Sequence, residues 1–402
     1  MKCIVHIGTE KTGTTILQKW LYSNQSDLSA EGIYLSDIIG KPNNRFLPAF
    51  FMRQLDGWVK HAGIQNLEEK AAHFKDFLSK FSEEIEEAAK THETFVITSE
   101  HFHSRLTSEV EIGDLYNFLT QNFEEVEIVC YFRSQFDLAV SLYSTALKVH
   151  SVASLESFVD LASPERYYYN YAQIADLWSG VFGRDRCNFR IYDRDQFVEG
   201  DIRKDLISVV APSLSFDALD YGVSSANEAL SVLQAAAFRA VNGLIPYWLE
   251  GGGANPANLQ AKEMLLKVEA LKRGKISSRR EAEVLQRFKS TNDYFFREFF
   301  ASENQFELKS GTKDIEAGIP FDEVERIVES TTRTALASTA EVLGPADVDA
   351  LRDIAVKIEN QSELTLLDAQ VLMKIAQASR PNGAFINRKV RAWGELLSSD
   401  DR

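Results

Sequence analysis

The chain has 402 residues, 44 Lys+Arg against 59 Asp+Glu and a formal net charge of −15, with 45% hydrophobic and 26% charged residues. This is a globular composition, with room for a large core and two or three domains. The acidity excludes a general nucleic-acid binder, which needs a basic face, and a polybasic membrane anchor; an anion could be held only by a local site that overrides the global field.

In chain order, residues 2–7 read as a buried strand running into a Gly/Thr-rich turn, and Ile16, Leu17, Trp20 and Leu21 then fall at helical spacing over 14–22. A long amphipathic helix is predicted over 66–91, its apolar face formed by Leu67, Ala71, Phe74, Phe77, Leu78, Phe81 and Ile85. Short apolar runs predict strands at 94–98, 126–132 and 187–192, separated by helices at 111–122, 135–148 and 168–182. Strands alternating with helices predict an α/β fold with a central parallel sheet covered on both faces. Beyond residue 200 the pattern is helical, over 201–210, 227–243, 258–273, 279–300, 321–342, 346–360, 363–378 and 384–397. The glycine-rich segment 250–256 reads as a flexible connection or lid. Two domains are expected, an α/β domain over 1–305 and a helical C-terminal extension over 306–402.

Cys3, Cys130 and Cys187 are too widely spaced for a disulfide framework or a zinc cluster, which predicts a reducing, cytoplasmic setting. The strand at residue 2 leaves no room for a signal peptide, and no apolar run approaches the ~18 residues of a membrane span.

The stretch from His6 to Thr15 carries the chemistry: Gly8-Thr9-Glu10-Lys11-Thr12-Gly13-Thr14-Thr15. Gly8 and Gly13 keep the glycine spacing of a Walker loop and Thr15 its final hydroxyl, but Thr14 stands where the lysine belongs, and Lys11 lies inside the loop instead. Backbone N–H groups at a helix N-terminus, the Lys11 ammonium and the hydroxyls of Thr12, Thr14 and Thr15 together suit an anion. Further on, the strand ending at Phe132 leads into Arg133, and Ser141 follows eight residues later on a helix. A guanidinium fork and a hydroxyl can grip a phosphate monoester.

These features resemble the P-loop sulfotransferase family. The loop is similar to that family's 5′-phosphosulfate loop, with Glu10 where the family usually has proline, and Arg133 and Ser141 match the spacing of its 3′-phosphate motif. The resemblance covers about residues 1–305. It implies a P-loop three-layer fold and a transferase that uses 3′-phosphoadenosine 5′-phosphosulfate as co-substrate with no metal. It also implies a role for Tyr192, at the end of the strand 187–192, beside the adenine. The family's general base lies just after a strand, where this chain has Glu100, His101 and His103; Glu100 matches best and either histidine is an alternative. His6, inside the first strand, reads as a core residue. The basic run Lys272-Arg273-Gly274-Lys275 has the composition of a second 3′-phosphate contact but reads as a solvated loop.

The reading is therefore a cytoplasmic sulfotransferase of the bacterial carbohydrate type, with a hydroxyl of a glycan, glycolipid or small molecule as acceptor. No nucleic acid and no membrane span are expected, and the C-terminal helices are candidates for homodimerisation. Two alternatives stay open: a P-loop nucleotide kinase, which would need ATP, Mg²⁺ and a lysine beside Thr15, and a non-catalytic nucleotide-binding protein of the same fold.

Overall fold

The computed structural model describes residues 1–223, 229–249, 252–272, 280–306, 345–358, 366–380 and 382–399. Its strands are β1 (Lys2–Gly8), β2 (Ile33–Leu35), β3 (Thr94–Thr98), β4 (Glu125–Phe132) and β5 (Cys187–Ile191). The helices begin with α1 (Thr14–Ser23), α2 (Gln25–Ala30), α3 (Phe46–Phe51), α4 (Gly57–His61), α5 (Leu67–His73), α6 (Phe77–Ala88), α7 (His101–Arg105) and α8 (Glu109–Asn122). They continue with α9 (Gln135–Val149), α10 (Leu155–Leu161), α11 (Tyr171–Phe182), α12 (Ile202–Val210), α13 (Val232–Leu244), α14 (Pro256–Lys267) and α15 (Glu281–Phe300). The last are α16 (Pro345–Ile358), α17 (Leu366–Ser379) and α18 (Ala384–Ser399).

The chain divides into two compact units, one made of Met1–Ala139, Val159–Glu228 and Arg280–Lys309, the other of Val140–Phe158, Ala229–Arg279 and Ser310–Arg402. The first holds a five-stranded parallel sheet in the order β2-β3-β1-β4-β5, flanked by helices. β1 is buried almost throughout because both faces of the sheet are covered. On one face Ile4, Val96, Val129 and Tyr131 pack against Leu17, Trp20 and Leu21 of α1 and Leu206, Ile207 and Val210 of α12. On the other face Phe95 meets Phe81 of α6, and Phe132 meets Tyr171 of α11 and Phe295 of α15. Each such fully buried side chain contributes about 2 kcal/mol. A saturated polar node ties this layer together: Asp205, 1% exposed, accepts both guanidinium arms of Arg190 (2.6 Å each), the Tyr131 hydroxyl (2.8 Å) and the Val198 N–H (3.1 Å).

The second unit is helical. Val348, Ala355, Ala369, Met373, Ile386 and Trp393 form the core of α16 to α18. Asn242 of α13 donates to the carbonyls of Leu147 and Ser151 and Lys262 of α14 to that of Val149, so the last turn of α9 is satisfied by its neighbours.

The α/β architecture agrees with the sequence reading; several elements differ in detail. The predicted helix 66–91 is two helices, α5 and α6, with Leu67 and Ala71 exposed and Phe74, Phe81 and Ile85 buried. The helix expected from 168 starts at Tyr171, where the Asn170 side chain accepts from the Gln173 N–H; Tyr167–Tyr169 is a 3-10 turn. α8 starts at Glu109 rather than 111 because Ser108 and Glu111 form a capping box. The helix expected over 258–273 is α14, which ends at Lys267. The strand β2 is not foreseen: three residues carry too little alternation to declare themselves. The helix expected over 321–342 and most of the run 272–275 lie outside the described residues.

Candidate active site

The loop between β1 and α1 is shaped by close approaches. At Gly8 (φ 109°) a Cβ would lie 3.1 Å from the Glu100 Cα and 3.2 Å from the Glu10 N, so the first glycine is required by the passage of two backbones. Thr9 is fully buried, and both its N–H (2.9 Å) and its hydroxyl (3.1 Å) donate to the Tyr131 carbonyl near the end of β4. The Thr12 hydroxyl, also buried, donates to the Thr9 carbonyl (2.7 Å). Lys11 has a left-handed backbone (φ 67°), as does Gly13 (φ 73°), which forms the N-cap of α1. No side chain caps that helix and its first turn holds no acidic residue; the Ile16 N–H donates to the Gly13 carbonyl (3.1 Å), which leaves the N–H groups of Thr14 and Thr15 to a ligand. Thr14 is buried and Thr15 exposed.

The ends of β4 and β5 close on this loop. Arg133, the residue after β4, donates to the Lys11 carbonyl (2.9 Å), and its guanidinium carbon lies 5.4 Å from the centre of the Tyr192 ring. Tyr192 is held by its N–H to the Phe132 carbonyl (2.6 Å), and its ring stands 3.3 Å from where a Cβ on Gly13 would be. The Arg133 Nε is buried without a hydrogen-bond partner. In the strand order, the chain leaves β1 towards β2 and β3 and leaves β4 towards β5. The crevice between β1 and β4 is thus the switch point at which open parallel sheets bind ligands. Ser141 is half-buried on the part of α9 that belongs to the second unit.

The end of β3 supplies the titratable groups. The Gln18 amide of α1 donates to Glu100 Oε2 (2.6 Å), and Oε1 faces the His101 Nε2 at 3.9 Å. Burial raises the Glu100 carboxyl above its ordinary value; the Gln18 bond and Lys11 oppose the shift, and Glu10 adds to it. His103 is fully buried, taking the Glu10 N–H on Nδ1 (3.4 Å) and leaving Nε2 to donate to the Tyr168 carbonyl (3.1 Å). Burial pushes His101 and His103 down to about 4, so both are neutral near neutral pH. The His101 Nδ1 is buried and unpartnered. His6 is a core residue as expected, its Nδ1 2.9 Å from the Thr98 hydroxyl. Burial lowers the Lys11 ammonium, Glu10 and Glu100 draw it back up, and Arg133 adds to the lowering.

Around these groups lies a network that the sequence did not announce. Arg45, from the turn before α3, and Arg105, from α7, both bind Asp56, the N-cap of α4; the Arg105 bond is 2.8 Å. Arg105 also faces Glu10 at 3.8 Å, and the Tyr168 hydroxyl donates to Glu10 (3.0 Å). No spacing rule links positions 10, 45, 56, 105 and 168; the one local signal was Glu10 in the place of a loop proline. Among the described residues no group of three or more His, Cys, Asp or Glu is arranged to hold a metal ion, and no helix is long and apolar enough to cross a membrane.

The chain matches no protein-family model. It is similar to a protein of Archaeoglobus fulgidus described only as uncharacterised, 26% identical over 224 residues, which are 54% of this chain and 58% of that protein. The chain thus spans little more than half the length of the curated relative it matches. It is also similar to a solved sulfotransferase from Alicyclobacillus acidocaldarius, at 15% identity and a TM-score of 0.33, over 67% of this chain and 98% of that one.

Proposed function

We propose that the chain is a sulfotransferase that moves a sulfuryl group from 3′-phosphoadenosine 5′-phosphosulfate to a hydroxyl of a glycan, glycolipid or small molecule. The observation that carries this reading is the meeting, at one sheet edge, of an uncapped helix N-terminus, Lys11, Arg133 and Tyr192 with a carboxyl whose proton affinity burial has raised. The nucleotide supplies an activated sulfuryl group on its 5′-phosphate. Glu100 takes the proton of the acceptor hydroxyl as that oxygen forms its bond to sulfur, while the S–O bond to the 5′-phosphate breaks and the electron pair leaves with the phosphate. Lys11 and the first N–H groups of α1 offset the charge that grows on the leaving oxygen. Arg133 holds the 3′-phosphate, Tyr192 packs near the base, and Thr12, Thr14 and Thr15 complete the loop. Glu100 suits the base role better than His103, whose two nitrogens are both engaged, and Gln18 orients it. His101 remains the alternative acceptor of the proton.

Residues 1–305 carry this activity in the proposal and 306–402 are an appendage suited to self-association, in a protein that works in the cytoplasm. Calorimetry with 3′-phosphoadenosine 5′-phosphate in the absence of metal tests the core of it. Binding in the micromolar range that Lys11→Ala abolishes is expected; no binding, or binding indifferent to Lys11, sinks the reading. A preference for ATP with Mg²⁺ would turn it into the kinase alternative.

A further inference from the structure

Glu10 is held more tightly than a solvent-facing loop residue needs to be. Its carboxylate accepts the Tyr168 hydroxyl (3.0 Å) and faces the Arg105 guanidinium (3.8 Å); its backbone N–H reaches the His103 ring (3.4 Å). The partners come from α7, which follows Glu100 directly, and from the turn at 167–169. Arg105 is in turn fixed by Asp56, which Arg45 also holds. On its other side Glu10 precedes Lys11, whose left-handed backbone is itself clasped through its carbonyl by Arg133. Gly8 brings the Glu10 backbone and the Glu100 Cα to the same spot, since a Cβ there would touch both.

We infer that Glu10 is a positioning residue for the transfer proposed above, fixing Lys11 against the segment that carries Glu100 and setting by its charge the field at the Glu100 carboxylate. The inference rests on that reading of Lys11 and Glu100. It follows from the anchoring: a loop lysine with a positive φ has no helix or strand to hold it, and its two neighbouring tethers are the Glu10 network behind and Arg133 in front. The groups that face Glu100 are Gln18 from α1, Glu10 and Lys11 from the loop, and His101 from its own side. Among them Glu10 is the one anion, so removing its charge alone should make Glu100 easier to ionise. Glu10 itself stays ionised: its burial is outweighed by the Ser104 hydroxyl and the Arg105 guanidinium.

Two substitutions separate the two effects. In Glu10→Gln the amide oxygen still accepts from Tyr168, so the tether persists while the charge is lost. In Glu10→Ala both are lost. Calorimetry with 3′-phosphoadenosine 5′-phosphate should show affinity reduced about tenfold in Glu10→Ala and by no more than about threefold in Glu10→Gln. Carbon-detected NMR of glutamate-labelled protein, with the Glu100 signal assigned through Glu100→Gln, should show the Glu100 midpoint moving to lower pH in Glu10→Gln. Should Glu10→Ala fail to fold, Tyr168→Phe, which removes one tether, is read in its place. If the parent binds the nucleotide and Lys11→Ala does not, yet Glu10→Ala binds like the parent, the inference is wrong and the functional reading stands. An unmoved Glu100 midpoint in Glu10→Gln likewise overturns the inference alone. If the parent takes up no nucleotide, the functional reading fails and the inference falls with it.

Discussion

Two charged clusters of the first unit use the same residue types to opposite ends. At the Asp205 node, an arginine, a tyrosine and a backbone N–H converge on one carboxylate that is almost wholly buried, and both oxygens have their donors. At the ends of β1, β3 and β4, arginines, a tyrosine and three carboxylates converge as well, yet Arg45 Nη1, Arg133 Nε and His101 Nδ1 are buried without partners. A buried polar atom left unpaired costs roughly 1–3 kcal/mol; single ones occur elsewhere, at Tyr171, Trp178 and Asn258, whereas here three lie in one cluster. The first cluster has finished its hydrogen bonding and holds layers together. The second has not, and it lies where the sheet's topology places ligands.

That contrast can be broken by experiment. The largest expected effect is on the finished cluster: Asp205→Ala leaves Arg190 and the Tyr131 hydroxyl facing nothing and should cost about 3 kcal/mol of unfolding free energy in urea titrations. A loss well under 1 kcal/mol would show the node to be dispensable.

Next comes acid. Burial holds His6, His101 and His103 at about 4 in the folded chain, whereas each takes up a proton near 6.5 when unfolded. The unfolded state therefore binds more protons between those values. Stability should be complete above about pH 6.5 and fall steadily as the pH drops towards 4. In Asp56 the burial that would raise the carboxyl is outweighed by Arg105, the Val59 N–H and Arg45, which hold it at about 2. Its contribution is present above about pH 3.9 and lost as the pH falls towards 2. Denaturation midpoints that stay constant from about pH 7 to 5 would contradict the assignment of neutral buried histidines.

Lys11→Ala should reverse the pattern of Asp205→Ala. It should weaken nucleotide binding by at least about 1.4 kcal/mol while changing stability by less than about 1 kcal/mol. Gly13→Ala forces a side chain into a left-handed position 3.3 Å from the Tyr192 ring, at a cost of about 1 kcal/mol, readable as a lower thermal midpoint. Thr15→Ala, on an exposed side chain, should shift stability by less than about 0.5 kcal/mol. A larger loss would mean that the hydroxyl caps α1 after all.

What could be read from the sequence follows the same division. Buried strands and their periodic helices declare themselves locally, so β1, β3, β4 and β5 stand where the apolar runs place them; Lys11 is legible in the loop's own residues, while Glu100, Arg133 and Tyr192 stand out through the family resemblance. α1 was legible from the spacing of Leu17, Trp20 and Leu21. The split of α5 from α6 was not, because Phe74 and Phe77 continue the apolar face across the break. Nor were Gln18, Arg45, Asp56 and Arg105: each is an ordinary surface-type residue until folding brings positions far apart in the chain to the carboxylates of Glu10, Asp56 and Glu100.

The place of β1 in the sheet has a consequence for how the protein is made. Lys2 pairs with Thr94 on one edge and with Glu125 on the other. As the chain emerges during synthesis, a strand destined for almost complete burial keeps both edges open until β3 and then β4 arrive. Through that interval the nascent chain exposes a sticky template, and it should depend on chaperones more than its finished stability would suggest.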